Sequence, residues 1–262
     1  MNDDLILQAE GLDRSFGGIH AVNNVSLEIP RGTLHAIIGP NGSGKTTLFN
    51  LLTGHTKPSS GRVRFAGEDI TGMPFSKVAR KGLAKSYQIT TVFPLLTVFE
   101  NVRIAAQAAA HSYVFWRPAD GIKAVTRHTE EVLERIGLAD EREVIASNLS
   151  HGDQRRLDLA IALATSPRLL LLDEPTAGMN PRETEALTAL IGLLRRDLAL
   201  SVLLIEHDME VVMAISDRIS VLDYGTLIAE GTPAEIQRHP RVIEAYLGTG
   251  YEQELAARGA PR

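Results

Sequence analysis

Gly39-Pro40-Asn41-Gly42-Ser43-Gly44-Lys45-Thr46-Thr47 stands directly after the apolar run Leu34-His35-Ala36-Ile37-Ile38. The pattern is G-x-x-x-x-G-K-T, and the chemistry it suits is the binding of a polyphosphate. Its glycines let consecutive backbone N–H groups turn inward into an anion cradle that a Cβ would obstruct. Lys45 supplies a positive charge for the β- and γ-phosphates, and the Thr46 hydroxyl can ligand Mg²⁺. A helix from Thr46 to Thr53, before Gly54, would aim its positive end at the same phosphates. Gly39, Asn41, Gly42, Ser43, Gly44, Lys45, Thr46 and Thr47 are the expected nucleotide contacts. A glycine-rich turn without function is the alternative, and the strand-loop-helix context speaks against it.

Two further apolar runs end in titratable groups. Leu169 to Leu172 delivers Asp173-Glu174-Pro175. Asp173 suits a Mg²⁺ contact, direct or through water. Glu174, on the alternate side of the strand, suits the task of orienting or deprotonating a water. Taken alone, Asp-Glu-Pro also reads as a strand exit into a turn. Val202-Leu203-Leu204-Ile205 delivers Glu206-His207-Asp208. A lone histidine near a strand end is commonly structural or merely exposed. Open α/β sheets, however, bind ligands beyond the carboxyl ends of their strands, so Lys45, Glu174 and His207 are expected to converge on one edge.

The elements that must position these groups are legible in outline. The three runs are near-continuous rather than alternating, as in parallel strands covered on both faces. Val25-Ser26-Leu27-Glu28-Ile29 and Arg62-Val63-Arg64-Phe65 alternate instead, which predicts a smaller, half-exposed antiparallel sheet. Ile219 to Leu222 and Thr226 to Ile228, around Tyr224-Gly225, predict a hairpin. The middle of the chain reads as helical. Thr97 with Glu100 forms a capping box for a helix through Ala110, and further helices run from Thr129 to Ile136 and from Gln154 to Ala164. The expected organisation is an α/β core over residues 1–90 and 161–250, a helical subdomain inserted at 91–160, and a polar tail at 251–262.

Composition removes whole classes of function. The chain has 262 residues, no cysteine, 44% hydrophobic residues and a formal charge of −5. That is enough apolar material for a buried core, which excludes disorder. Disulfide scaffolds, cysteine nucleophiles and thiolate zinc sites are impossible. No basic excess points to nucleic acid. No stretch approaches the roughly 18 apolar residues that span a bilayer, and Met1-Asn2-Asp3-Asp4 is acidic where a signal peptide is basic. A cytoplasmic protein is expected, with any membrane role exerted through partners.

Together these motifs resemble the nucleotide-binding subunit of ABC transporters along nearly the whole chain. The resemblance implies the ABC ATPase cassette: a P-loop NTPase core with a mostly parallel sheet, a flanking antiparallel β-subdomain and the inserted helical subdomain. Phe16 in Arg14-Ser15-Phe16-Gly17 matches the aromatic that stacks on adenine, although a core role is the ordinary alternative. Gln88 in Ser86-Tyr87-Gln88 matches the glutamine that links the metal site to the membrane partner. Leu149-Ser150-His151-Gly152-Asp153-Gln154 matches the signature motif, Ala177-Gly178-Met179-Asn180-Pro181 the D-loop, and His207 the switch histidine. Ser150 with Asp153, and Asn180 with Glu183, also read as helix caps. His151 and Asp153 depart from the commonest signature, Leu-Ser-Gly-Gly-Gln, and Asn180 stands where Asp is usual. Within the family, Glu206-His207-Asp208-Met209 and the tail Val242 to Gly248 look like the branched-chain amino acid importer type, whose relatives also serve urea and short amides.

The resemblance implies ATP hydrolysis with Mg²⁺. Glu174 would polarise the attacking water, Lys45 would hold phosphoryl charge, and His207 would contact the γ-phosphate. Thr46, Gln88 and Asp173 would serve the metal. Ser150 and Gly152 would act on the nucleotide of a second ATPase subunit, identical or a sister chain. Transmembrane permease subunits would place the protein peripherally on the inner face of the membrane, with no nucleic acid partner. The rival is a non-transport ATP clamp, which would need a long coiled-coil insertion or a second cassette. Lys77, Arg80, Lys81 and Lys85 read as a solvated helix face or a partner contact. Tyr113, Phe115 and Trp116 read as subdomain packing or a permease contact.

Overall fold

The computed structural model describes residues 4–86, 92–110 and 123–247. In chain order the elements are β1 (Leu5–Phe16), β2 (Ile19–Pro30), β3 (Leu34–Ile38), α1 (Lys45–Thr53), β4 (Ser60–Phe65), β5 (Glu68–Asp69), α2 (Phe75–Ala79) and β6 (Leu83–Lys85). They continue with α3 (Val98–Ala109), α4 (Lys123–Ile136), α5 (His151–Ala164), β7 (Leu169–Asp173), α6 (Pro181–Asp197) and β8 (Ser201–Ile205). The chain closes with α7 (Met209–Ile215), β9 (Arg218–Asp223), β10 (Thr226–Gly231), α8 (Pro233–Ile236) and α9 (Pro240–Leu247). Two compact units emerge, one from Met1–Val78 with Leu204–Arg262 and the other from Ala79–Leu203. The fold is α/β, with parallel strand pairs in both units and a separate antiparallel sheet in the first.

In the first unit β1 is antiparallel to β2, with Leu7 opposite Ile29 and Ala9 opposite Leu27, and to β4, with Leu7 opposite Phe65. Leu7, Ala9, Leu27, Ile29, Val63 and Phe65 are all buried, so one face of this sheet carries the core. The β1–β2 turn is Gly17-Gly18, with φ of 53° and 90°, the left-handed pair that a two-residue hairpin demands. β3 is buried at every position and runs parallel to β9, with Ile37 opposite Ser220. β9 turns at Tyr224-Gly225 into antiparallel β10. The expected alternating strands, continuous strand and late hairpin are all present.

The second unit contains β6 parallel to β7, with Ala84 opposite Leu170, and the helices α3, α4 and α5 packed on one another. The α3 capping box forms: Glu100 N–H donates to Thr97 Oγ1 at 3.1 Å, and Thr97 N–H donates to the Glu100 carboxylate at 2.9 Å. Val98, Val102 and Ala106 of α3 are buried at helical spacing. α4 begins at Lys123, earlier than the Thr129 expected, and buries Val125, Val132, Leu133 and Ile136. Among the described residues no helix is long and apolar enough to cross a membrane.

His35 lies wholly inside the first unit, with Nε2 at 2.8 Å from Ser220 Oγ. Burial, reinforced by the Arg218 charge, pushes its pKa from 6.5 down to about 4. Between those values the unfolded chain binds a proton that the folded chain refuses. Stability from this site is therefore complete above pH 6.5 and is lost as pH falls towards 4. Urea unfolding at pH 7 and pH 4.5 should show about 2–3 kcal/mol of acid destabilisation from this group, and His35→Leu should flatten that part of the slope.

Candidate functional site

The phosphate loop is fixed by close backbone contacts within the first unit. Gly39 has φ 153°, and a Cβ there would lie 2.1 Å from Leu222 O and 2.6 Å from Ser43 Oγ. Gly44, at φ 98°, caps α1, and its Cβ would lie 2.1 Å from Ala21 O. No side chain fits at either position. The β9–β10 turn clamps the loop: Gly225 N–H donates to Ser43 O at 2.9 Å, and Asn23 N–H donates to Gly225 O at 2.8 Å. Lys45, the first residue of α1, is buried, and its Nζ donates to Gly39 O at 2.7 Å and Pro40 O at 2.9 Å. Asn41, Gly42 and Thr46 are exposed, Thr47 is half-buried, and Ser43 is buried. A rigid concave backbone with one cation folded into it and hydroxyls at its mouth is suited to a polyphosphate.

Phe16 is the last residue of β1 and is 48% exposed, which removes the core reading. The Arg14 guanidinium sits 4.7 Å from its ring centroid and steadies the ring by a cation–π contact. His207 follows β8 and is exposed. Its turn is braced by Glu206, a fully buried carboxylate that accepts from His207 N–H at 3.1 Å and lies 3.7 Å from His207 Nδ1. Asp208 then caps α7 by accepting from Glu210 N–H at 2.9 Å. No local sequence signal distinguishes Glu206, and its burial behind His207 is visible only in the structure.

The remaining described site residues belong to the second unit. Asp173 closes β7, and its carboxylate lies 3.7 Å from Lys85 Nζ. Burial depresses the Lys85 pKa, and the Asp173 charge pulls it back up. The basic run is not one helix face. Lys77 is exposed on α2, whereas Lys85 is a strand residue whose side chain faces the Asp173 carboxylate. Lys77, Lys81 and Lys85 have the four-residue spacing of one helix face, but α2 ends at Ala79 and Lys85 belongs to β6.

Glu174 has φ 48°, in the left-handed region. It lies just past the end of β7, where this backbone twist and not strand alternation governs the course of the chain. A non-glycine residue held there costs roughly 1 kcal/mol or more, and such sites cluster where a side chain must be aimed. Ala177 N–H donates to Glu174 O at 3.1 Å and closes the turn.

Ser150 caps α5. Its Oγ accepts from Asp153 N–H at 3.1 Å and donates to Asp153 Oδ2 at 2.7 Å, while Arg156 approaches Asp153 Oδ1 at 3.4 Å. Both capping readings hold, and the Asp153 charge is compensated by Arg156 and by the helix end. Gly152 is buried with room for little more: a Cβ would sit 3.1 Å from Glu183 Oε1. That glutamate belongs to the Asn180 capping box of α6, where Asn180 Oδ1 accepts from Glu183 N–H at 3.1 Å. Asn caps as well as Asp does. Unforeseen from sequence, Ser86 Oγ donates to Asp158 Oδ2 at 2.5 Å, both side chains being buried, and so ties the end of β6 to α5. Gln88, the aromatic stretch 111–116 and the tail 251–262 lie outside the described residues.

Residues 22–177 match the family model described as ABC transporter. The chain belongs to the ABC transporter family. Residues 226–252 match a second model, described as branched-chain amino acid ATP-binding cassette transporter. The high-affinity branched-chain amino acid transport ATP-binding protein LivG of Salmonella typhimurium is 45% identical over 251 residues, covering 93% of this chain and 98% of that protein. BraF of Pseudomonas aeruginosa, described in the same words, is 43% identical with the same coverage. A crystal structure of the ADP conformation of an ATP-binding cassette from an ABC transporter superposes with a TM-score of 0.82 at 28% identity, covering 93% of this chain and 99% of that one. As a member of the ABC transporter family, the protein is an ATPase.

The cradle's geometry makes a direct prediction. Gly44→Ala puts a methyl against Ala21 O and an alanine at φ 98°, so calorimetric titration should find ATP affinity reduced at least about 100-fold. Wild-type affinity in this variant would show that the loop is not held as described.

Proposed function

We propose that the protein is the ATP-hydrolysing subunit of an importer for branched-chain amino acids or related small amides. The observation that carries this reading is the cradle with the Lys45 ammonium folded into it, in a chain similar over almost its full length to LivG and BraF. Lys45 and the loop N–H groups hold the β- and γ-phosphates, and Phe16 stacks on the adenine. Glu174 accepts a hydrogen bond from the attacking water and aligns it with the β–γ bond. His207, backed by Glu206, contacts the γ-phosphate and distinguishes ATP from ADP. These groups act by placement and by stabilising the charge that spreads over the transferring phosphoryl oxygens.

Thr46 and Asp173 offer the hard oxygen donors that Mg²⁺ takes, and Gln88 is proposed as the third residue of that set. When bound, Mg²⁺ would neutralise charge on the β- and γ-phosphate oxygens. Ser150 and Gly152, at a capped helix start, suit the γ-phosphate of a nucleotide held by a second ATPase subunit. α3 to α5 form the inserted helical subdomain in this reading. Closing and opening of the pair would drive transmembrane permease subunits through that subdomain and the Gln88 segment, with the protein peripheral on the cytoplasmic face. Several relatives are transport ATP-binding proteins by name, and this favours the importer over the non-transport clamp.

Glu174→Gln keeps shape and removes the accepting carboxylate. Steady-state turnover should fall about 10²–10⁴-fold, while ATP binding persists and an ATP-dependent dimer accumulates in size-exclusion chromatography. Unchanged turnover would overturn the assignment of Glu174.

A further inference from the structure

The helix α9 has no part in the chemistry above, yet it packs beside the phosphate loop in the same unit. Its Val242 is buried, and the helix contacts β10. Arg241, Glu244 and Ala245 line a cleft of about 500 Å³ whose other wall is residues 40–43 of the loop. The next residue, Tyr246, reaches the first residue of that loop. Its ring is half-buried, and its Oη is fully enclosed with no regular hydrogen-bond partner among the described residues. Burial pushes the phenol up to about 12, and the neighbouring Gly39 N–H works against that rise.

An enclosed hydroxyl whose hydrogen bonding is incomplete calls for a reason. The surroundings supply one. A phenol can both donate and accept, and Gly39 offers both complements. Its N–H faces the phenol, and its C=O is engaged by the Lys45 ammonium at 2.7 Å. Lys45 is the group that a γ-phosphate claims. As the ammonium turns to phosphate, the Gly39 peptide is left needing a new partner, and the Tyr246 hydroxyl is the enclosed polar group beside it.

We propose that Tyr246 is a positioning residue for the phosphate loop, its hydroxyl completing the hydrogen bonding of Gly39 in the loop conformation that holds ATP. α9 is then a brace that tightens when nucleotide is bound. This rests on the loop being the ATP cradle. It gives a function to a residue of the segment 226–252, which is otherwise distinguished only by its family match.

The test is Tyr246→Phe in the full chain, which keeps the ring packing and removes only the hydroxyl. Two quantities are read: the dissociation constant for a fluorescent ATP analogue, and the thermal midpoint without nucleotide. The expected result is a dissociation constant raised about 3- to 10-fold, with KM for ATP rising in parallel and kcat within about 2-fold, because Glu174 and Lys45 are untouched. The midpoint without nucleotide should stay the same or rise, since a buried unsatisfied group has been removed. A lowered midpoint, with or without weaker binding, would show a structural hydroxyl indifferent to nucleotide and overturn the proposal; so would an unchanged dissociation constant. Failure of the wild-type chain to bind the analogue would instead sink the reading of the cradle itself.

Discussion

The carbonyl oxygens of Leu222 and Ala21 stand 2.1 Å from where a side chain at Gly39 or Gly44 would begin. Backbone meets backbone with nothing between, and the geometry of the cradle follows from this. β9 has to lie beside β3 for Leu222 to reach Gly39, and β2 has to arrive at the same place for Ala21 to reach Gly44. The Tyr224-Gly225 turn can then bond Ser43 O and receive Asn23 N–H, so that the loop is gripped by neighbours from both sheets of its unit. Preorganisation of this kind leaves little ordering to be done when phosphate arrives, which is where positioning gains its effect.

Around that constraint, buried charge is handled by local hydrogen bonding rather than avoided. Glu206 is sealed at the end of β8 and spends its oxygen on the backbone that presents His207. Asp158 is sealed within α5 and accepts from Ser86. Lys85 faces Asp173 at the end of the neighbouring strand. Removing one member of such a contact leaves the other desolvated, which typically costs more than the contact itself contributes. These are residues whose mutation would disturb the site without touching the reacting atoms.

The motifs and the strands that feed them were legible because their signals are local. A glycine pattern fixes a loop, four successive leucines fix a buried strand, and Thr97 with Glu100 fixes a helix start. β1 escaped notice for a physical reason. Its pairing shifts register near Ala9, Leu12 and Arg14, so the alternation that advertises a strand is broken. Lys85 was grouped with its sequence neighbours because nothing local says that a strand carries it to Asp173. Tyr246 and Glu206 owe their roles to distant segments or to burial, neither of which a linear reading contains. The departures at Asp153 and Asn180 proved simple once the helices were visible, since each sits in a cap that its side chain satisfies.

The left-handed backbone at Glu174 carries a consequence for how this position can drift. A residue there has to supply a carboxylate and also tolerate φ 48°. β-Branched side chains are strongly disfavoured in that well, whereas Gly, Asn and Asp enter it most readily. Valine or threonine would therefore misdirect the turn as well as delete the charge, and their effects would be unreadable as chemistry. Asparagine and glycine are the substitutions that leave the main chain in place, so their losses would report on the side chain and not on a distorted turn. The backbone thus filters which amino acids can be sampled before any catalytic requirement is applied.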